Sequence, residues 1–172
     1  MNDLHYIGFD VHKKSIQYCV KLADGRLVRE GRIAATHSAV AEWLATQHTP
    51  WKGALEATMF SAWIYDQLLP HAVELHVAHS AMLKALATGK HASDRLDARK
   101  IADLLRANCL PSIWMAPPEL RSLRLLLRYR QLTVRQTVQI KNRIASTLME
   151  LGVDYDSSRL HGKRYYQELL TR

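Results

Sequence analysis

Four acidic residues have the type and spacing needed for metal-dependent chemistry. Asp10 ends one short apolar segment of the chain, and Glu56 ends another, residues 51–56. Asp94 and Asp97 open a strongly helical segment, and their spacing of three residues places them on one face of its first turn. An acid inside an apolar strand is costly to bury without a partner. Asp10 therefore needs a hydrogen-bonding partner, a metal ion or water.

These four carboxylates would repel one another strongly if the fold brought them together. Divalent cations relieve such repulsion, and hard oxygen ligands suit Mg²⁺ or Mn²⁺. Two such ions about 3.5–4 Å apart can activate a nucleophile and stabilise the leaving oxygen in phosphoryl transfer. We therefore predict a catalytic Mg²⁺ (or Mn²⁺) site formed by Asp10, Glu56, Asp94 and Asp97.

Each of these acids also has a simpler interpretation. Asp10 could cap the turn at residues 11–14, and Glu56 could end a strand in solvent. Asp94 is a good helix N-cap and Asp97 a good first-turn acid, both favoured by the helix dipole. Taken singly, the helical pair suits capping better than catalysis. The joint site depends on a fold that brings all four residues together.

The order of the predicted elements supplies such a fold. Strands are predicted at about residues 4–10, 15–21, 26–33, 51–57 and 73–77. Helices are predicted at about residues 38–47, 61–69, 81–87 and 94–108. Three hairpin strands followed by alternating helices and strands is the order of the ribonuclease H-like fold, an α/β fold whose mixed sheet is flanked by helices. In that fold strand one is central and strand four pairs parallel beside it. Asp10 and Glu56 are therefore expected side by side.

A long helix is predicted after the apolar connector at residues 113–115. No glycine or further proline interrupts the chain from Pro118 to Leu151, and Gly152 follows. Nine positions form a heptad seam along this helix, and six of them are apolar. The nine positions are 123, 127, 130, 134, 137, 141, 144, 148 and 151. At about 50 Å this helix is too long for one small sheet. We predict pairing of the helix 117–151 with another copy, giving a homodimer or higher oligomer.

The charge of the chain favours a polyanionic partner. Its formal net charge is +8 and its isoelectric point is about 9.7. Basic residues flank the acidic motifs at Lys13, Lys14, Lys84, Lys90, Arg95 and Arg99. Others line the long helix at Arg121, Arg124, Arg128, Arg130, Arg135, Lys141 and Arg143. These residues are predicted to contact DNA or RNA phosphates. For those on the long helix, the alternative is that they form an ordinary solvent-exposed face.

Cysteine content and hydropathy indicate where the protein works. Cys19 and Cys109 show no pairing or metal-binding spacing, so two free buried thiols in a reducing cytoplasm are expected. No apolar run approaches the 18 residues of a membrane span, so no membrane partner is predicted. We divide the chain into a catalytic domain at 1–112 and a basic helical region with a polar tail at 113–172.

The chain resembles the DEDD transposases of the insertion sequence 110 family, which are related to the Piv and MooV invertases. The resemblance is closest at residues 8–14 (GFDVHKK), 55–58 (LEAT) and 93–98 (SDRLDA). It departs from the family pattern at Met59 and at His79-Ser80. Carried over residue by residue, it implies that the acidic tetrad is Asp10, Glu56, Asp94 and Asp97.

The family has a RuvC-like N-terminal domain and a second domain whose serine attacks a phosphodiester, and it recombines DNA using a structured guide RNA. The chain stops at Arg172, before such a second domain. The resemblance therefore implies the N-terminal catalytic portion of a prokaryotic, nucleoid-associated transposase, incapable of complete recombination alone. The alternatives are a non-catalytic, dimerising nucleic-acid-binding module and a stand-alone RuvC-like DNA nuclease.

Overall fold

A six-stranded mixed sheet forms the first of two units into which the chain divides, Met1–Met115 and Ala116–Arg172. The computed structural model describes residues 4–86 and 94–171, without the side chains of residues 84, 86 and 94–97. The strands are β1 (His5–Val11), β2 (Ser15–Lys21), β3 (Leu27–Ala34), β4 (Trp51–Glu56), β5 (Glu74–Ala78) and β6 (Ser112–Ile113). The helices are α1 (His37–Ala45), α2 (Ser61–Leu68), α3 (Ser80–Leu86), α4 (Asp94–Arg106), α5 (Pro118–Glu150) and α6 (Lys163–Leu170).

The strand order is β3-β2-β1-β4-β5-β6. β1, β2 and β3 pair antiparallel, β4 lies parallel between β1 and β5, and β6 closes the far edge antiparallel to β5. This arrangement confirms the ribonuclease H-like fold, with β1 inside the sheet and β4 beside it. The strand β6 was not predicted, because two residues are too short to show an alternating pattern.

One face of the sheet carries the main hydrophobic core. Odd-numbered residues of β1, including the fully buried Phe9, point towards α1 and α2. Phe9 packs edge-on against Trp43 and Trp51, with ring centroids 5.3 and 6.0 Å away. The Thr36 hydroxyl begins α1 by accepting a hydrogen bond from the amide of Ala39 at 3.3 Å. These contacts hold β1 in the centre of the sheet, which fixes the position of Asp10.

The opposite face of the sheet is covered by α4, and a glycine allows the close contact. A Cβ atom on Gly8 would lie 2.1 Å from the Ala98 carbonyl oxygen and 2.6 Å from the Ala102 amide nitrogen. Ala98 and Ala102 are themselves small and buried. Backbone therefore meets backbone here, and only glycine at position 8 leaves the space.

Two ion pairs hold α4 against β2 and β3 on this face. The ammonium of Lys21 lies 2.5 Å from Asp103. The guanidinium of Arg99 donates two hydrogen bonds to Glu30, at 2.6 and 2.7 Å. They tie both β2 and β3 to α4, so the helix is held along its length.

The two cysteines differ in exposure. Cys19 is buried beneath α4 as predicted, and burial raises the pKa of its thiol. Cys109 is exposed, so the prediction that both thiols are buried was wrong for this residue. It lies just beyond the end of α4, where the chain leaves the packed helix.

The second unit contains the long helix, which spans 33 residues. None of its residues is buried, although many are apolar. The helix ends at Glu150, and Gly152 follows with a φ of +65° that suits glycine. The amide of Val153 donates back to the Leu148 carbonyl oxygen. After it, α6 buries Tyr165, whose hydroxyl accepts from the Asp156 amide at 2.8 Å.

Within the part of the chain that the structure describes, none of the helices combines the length and apolar character required to cross a bilayer.

Candidate metal centre

Asp10 and Glu56 lie next to each other at the carboxyl ends of neighbouring parallel strands. Phe9 of β1 pairs in register with Leu55 of β4, so the residues that follow each of them are also level. Adjacent strands are about 4.8 Å apart, and residues level in a parallel pair point to the same face. Since Phe9 and Leu55 face the main core, Asp10 and Glu56 face α4. The predicted proximity of these two acids follows from the observed register.

Asp10 is almost fully buried, with 3% of its surface exposed. The imidazole Nε2 of His12 lies 2.9 Å from its Oδ2 atom, in a half-buried contact. When Asp10 is ionised, as metal binding requires, its carboxylate can only accept, and Nε2–H of His12 then donates this bond. Outer hydrogen bonds of this kind orient carboxylates that bind metals.

Glu56 is partly buried and forms no hydrogen bond or ion pair with the described residues. A half-buried carboxylate beside a buried one is unfavourable unless a positive charge lies near both. A hard divalent cation supplies that charge and prefers carboxylate oxygens. The two side chains therefore fit the predicted Mg²⁺ or Mn²⁺ as ligands.

The direction of α4 brings its first turn towards these acids. Asp103 contacts Lys21, which pairs with Tyr6 near the start of β1, whereas Ala98 lies against Gly8 further along that strand. Moving towards the N-terminus of α4 therefore means moving towards Asp10. One helical turn before Ala98 covers about 5.4 Å, close to the two-residue step of about 6.6 Å from Gly8 to Asp10.

Asp94 and Asp97 occupy that first turn, but their side chains lie outside the described part of the structure. Among the described side chains, no group of three His, Cys, Asp or Glu residues is arranged to hold a metal. The described half of the site is thus the pair Asp10 and Glu56. The contribution of Asp94 and Asp97 remains a prediction from helical position.

The predicted basic residues fall into two sets. Lys13 and Lys14 are exposed in the turn after β1, at the same end of the sheet as Asp10. Arg99 is engaged with Glu30, so a phosphate would have to compete for its guanidinium. The side chains of Lys84 and Arg95, and the whole of Lys90, lie outside the described residues. The second set lies on α5 and consists of Arg121, Arg124, Arg128, Arg130, Arg135, Lys141 and Arg143.

Comparison with known proteins identifies the family of the chain. The family model for the DEDD transposases of insertion sequence 110, described as transposase, matches residues 7–152. The range includes β1, β4, α4 and all of α5. The chain therefore belongs to this transposase family, whose members are enzymes acting on DNA.

A solved structure is also similar, that of T. thermophilus RuvC in complex with a Holliday junction substrate. It is 13% identical, with a TM-score of 0.42, and the match covers 66% of this chain and all of the RuvC chain. No curated protein sequence matches the chain.

Proposed function

We propose that this chain carries the metal-dependent carboxylate centre of an RNA-guided DNA transposase. Asp10 and Glu56 bind Mg²⁺ or Mn²⁺ together with Asp94 and Asp97. The observation that supports this most strongly is the register of β1 and β4, which sets Asp10 and Glu56 side by side. Both face α4, whose N-terminal end is directed towards Asp10. Residues 1–112 form the catalytic domain in this proposal, and residues 113–172 form the linking and dimerising region.

The bound cations would activate an attacking oxygen and stabilise a leaving one in phosphodiester exchange. The chain's own residues prepare the site for this. His12 holds Asp10 in a fixed orientation, and the packed core under β1 and β4 keeps both carboxylates at a constant spacing. Lys13 and Lys14 lie where they can attract the DNA backbone to that end of the sheet.

Metal binding is tested by following the melting temperature during a Mg²⁺ or Mn²⁺ titration. At a metal concentration about 100 times Kd, we expect a rise of about 5–10 °C, because ligand binding adds about 2.7 kcal/mol to stability. Asp10→Asn combined with Asp97→Asn should abolish the rise. Glu42→Gln, which neutralises an exposed acid on α1, is the control and should keep it. Indifference of the unmodified chain to metal would contradict the proposal and favour a purely structural module.

The surface of α5 supports both pairing and nucleic-acid binding, on opposite sides. At about 100° per residue, the seam of positions 123–151 predicted above is centred on one side of the helix. The arginines at 121, 124, 128, 135 and 143 fall within about 100° of each other on the other side. Two copies of α5 could therefore pair through the seam and leave the basic stripe available to guide RNA or DNA.

Pairing of α5 is tested by light scattering. We expect a dimer or larger for the chain, and a monomer when the seam residues Leu127 and Ile144 are both replaced by glutamate. The matched control is Leu125→Glu: Leu125 is 52% exposed, close to 57% for Leu127, but lies outside the seam. A chain that is monomeric at all concentrations tested would exclude the proposed coiled coil.

The nuclease alternative predicts a different activity. A stand-alone RuvC-like nuclease would cut branched DNA in Mn²⁺ without any other protein or RNA, and Asp10→Asn would prevent the cutting. The transposase proposal instead predicts metal binding without unaided cutting. The working location in both cases is the cytoplasm, at the nucleoid.

A further inference from the structure

A polar cleft lies beside the carboxylate pair. It has a volume of about 300 Å³ and lies where the outer β2–β3 hairpin meets α4. Its lining includes Gln17, Cys19, Glu30, Arg32 and Ala98. The cleft therefore opens on the same face of the sheet as Asp10 and Glu56.

The strand register aligns the cleft with the metal centre. Asp10 pairs directly with Gln17, and Gln17 pairs directly with Arg32. The three residues thus form one row across β1, β2 and β3, all on the face that α4 covers. With strands about 4.8 Å apart, the backbone of Arg32 lies about 10 Å from that of Asp10. The long arginine side chain can span much of this distance.

The side chains of Arg32 and Gln17, which line the cleft, are available to bind a ligand. Arg32 is exposed, and Gln17 is partly buried. Neither side chain makes a hydrogen bond or ion pair with another described residue. The acid in the cleft, Glu30, is already bound by Arg99. The cleft thus presents one uncompensated guanidinium and one amide, a donor set that suits a phosphate.

We propose that this cleft receives the phosphodiester backbone of the reacting DNA strand on one side of the phosphate under attack. Arg32 pairs with a neighbouring phosphate, and Gln17 donates a hydrogen bond to the same stretch of backbone. The inference rests on the proposed function, because it assumes that the attacked phosphate lies at Asp10 and Glu56. DNA rather than guide RNA is the expected ligand, since the strand that reacts must reach those carboxylates.

The experiment measures binding of fluorescently labelled single-stranded DNA, branched DNA and single-stranded RNA to the whole chain in Mg²⁺, at several salt concentrations. Arg32→Gln should weaken binding about fivefold at 0.1 M salt and lower the salt slope by about 0.7–0.9, the effect of one lost phosphate contact. Gln17→Ala should weaken binding less and leave the slope unchanged, because an amide releases no counterion.

The matched control is Arg29→Gln. Arg29 carries the same charge on the same strand, but its guanidinium lies over the ring of Tyr18, 5.6 Å from the centroid, on the opposite face of the sheet. Its loss should leave DNA binding near the unmodified level. Equal losses for Arg29→Gln and Arg32→Gln would mean that only overall charge matters, and would overturn the proposal. No loss for Arg32→Gln, or a loss seen only with RNA, would overturn it as well.

The metal titration of the Arg32→Gln chain separates this inference from the proposed function. We expect its melting temperature to rise with Mg²⁺ as in the unmodified chain. A normal rise with unchanged DNA binding would refute the cleft while leaving the metal centre intact. Absence of metal binding in the unmodified chain, with the Arg32 effect present, would refute the metal centre and leave a DNA-binding cleft.

Discussion

Replacing Gly8 by alanine is expected to displace α4 from the sheet. The added methyl would lie 2.1 Å from the Ala98 carbonyl oxygen and 2.6 Å from the Ala102 amide nitrogen. Both atoms belong to the helix backbone, so no side-chain rotation relieves the clash. Overpacking typically costs 1–3 kcal/mol, and we expect about 3 kcal/mol or more here. Urea unfolding followed by circular dichroism measures this as a lower transition midpoint.

Displacement of α4 should also remove metal binding, because the helix carries Asp94 and Asp97. The Gly8→Ala chain should therefore show no metal-dependent rise in melting temperature. The control is Gly162→Ala, where the backbone angles suit any residue and the nearest atom is the Arg159 carbonyl oxygen at 3.2 Å. Its effect should stay within about 1 kcal/mol. Unchanged stability and metal response in Gly8→Ala would show that α4 does not rest against β1.

Removing three arginines from the basic stripe of α5 is expected to weaken nucleic-acid binding about a hundredfold at 0.1 M salt. Arg128, Arg135 and Arg143 are exposed, and none pairs with another described residue. Each single-strand phosphate contact contributes about 0.7 to the salt slope, which is roughly fivefold in affinity at 0.1 M salt. Replacing all three with glutamine should lower the slope by about two. Fluorescence anisotropy with labelled RNA across a salt series measures both quantities.

The control for this triple variant removes the same charge elsewhere. Arg26 lies in the β2–β3 turn beside Asp24, and Lys163 and Arg164 begin α6. Their replacement by glutamine should leave both affinity and salt slope close to those of the unmodified chain. Equal weakening by the two triple variants would indicate attraction to overall charge and would contradict a specific binding stripe on α5.

The proximity of Asp10 and Glu56 could be predicted from the sequence because it depends on element order. Once three hairpin strands are followed by a crossover, strand four can lie parallel beside strand one. The apolar alternation then determines which side chains share a face. The long helix was predictable for a similar reason, since its heptad pattern and the absence of breaking residues extend over more than thirty positions.

Contacts between distant segments could not be predicted in the same way. Gly8 looks like any small strand residue until α4, about ninety residues later, is placed against it. Arg99 was predicted to contact phosphate because it is basic and close to Asp97, but its partner Glu30 lies on another element. The alternation of β3 did not single out Arg32, because it does not reveal that Gln17 and Asp10 lie in the same row.

A crystal structure grown with Mn²⁺ tests most directly whether the four carboxylates meet around bound cations. Anomalous diffraction from manganese locates the ion independently of the protein. We predict a peak within coordination distance of Asp10 and Glu56, with Asp94 and Asp97 completing the site from the first turn of α4. Manganese bound elsewhere, or carboxylates at residues 10, 56, 94 and 97 that face separate surfaces, would contradict the proposed metal centre.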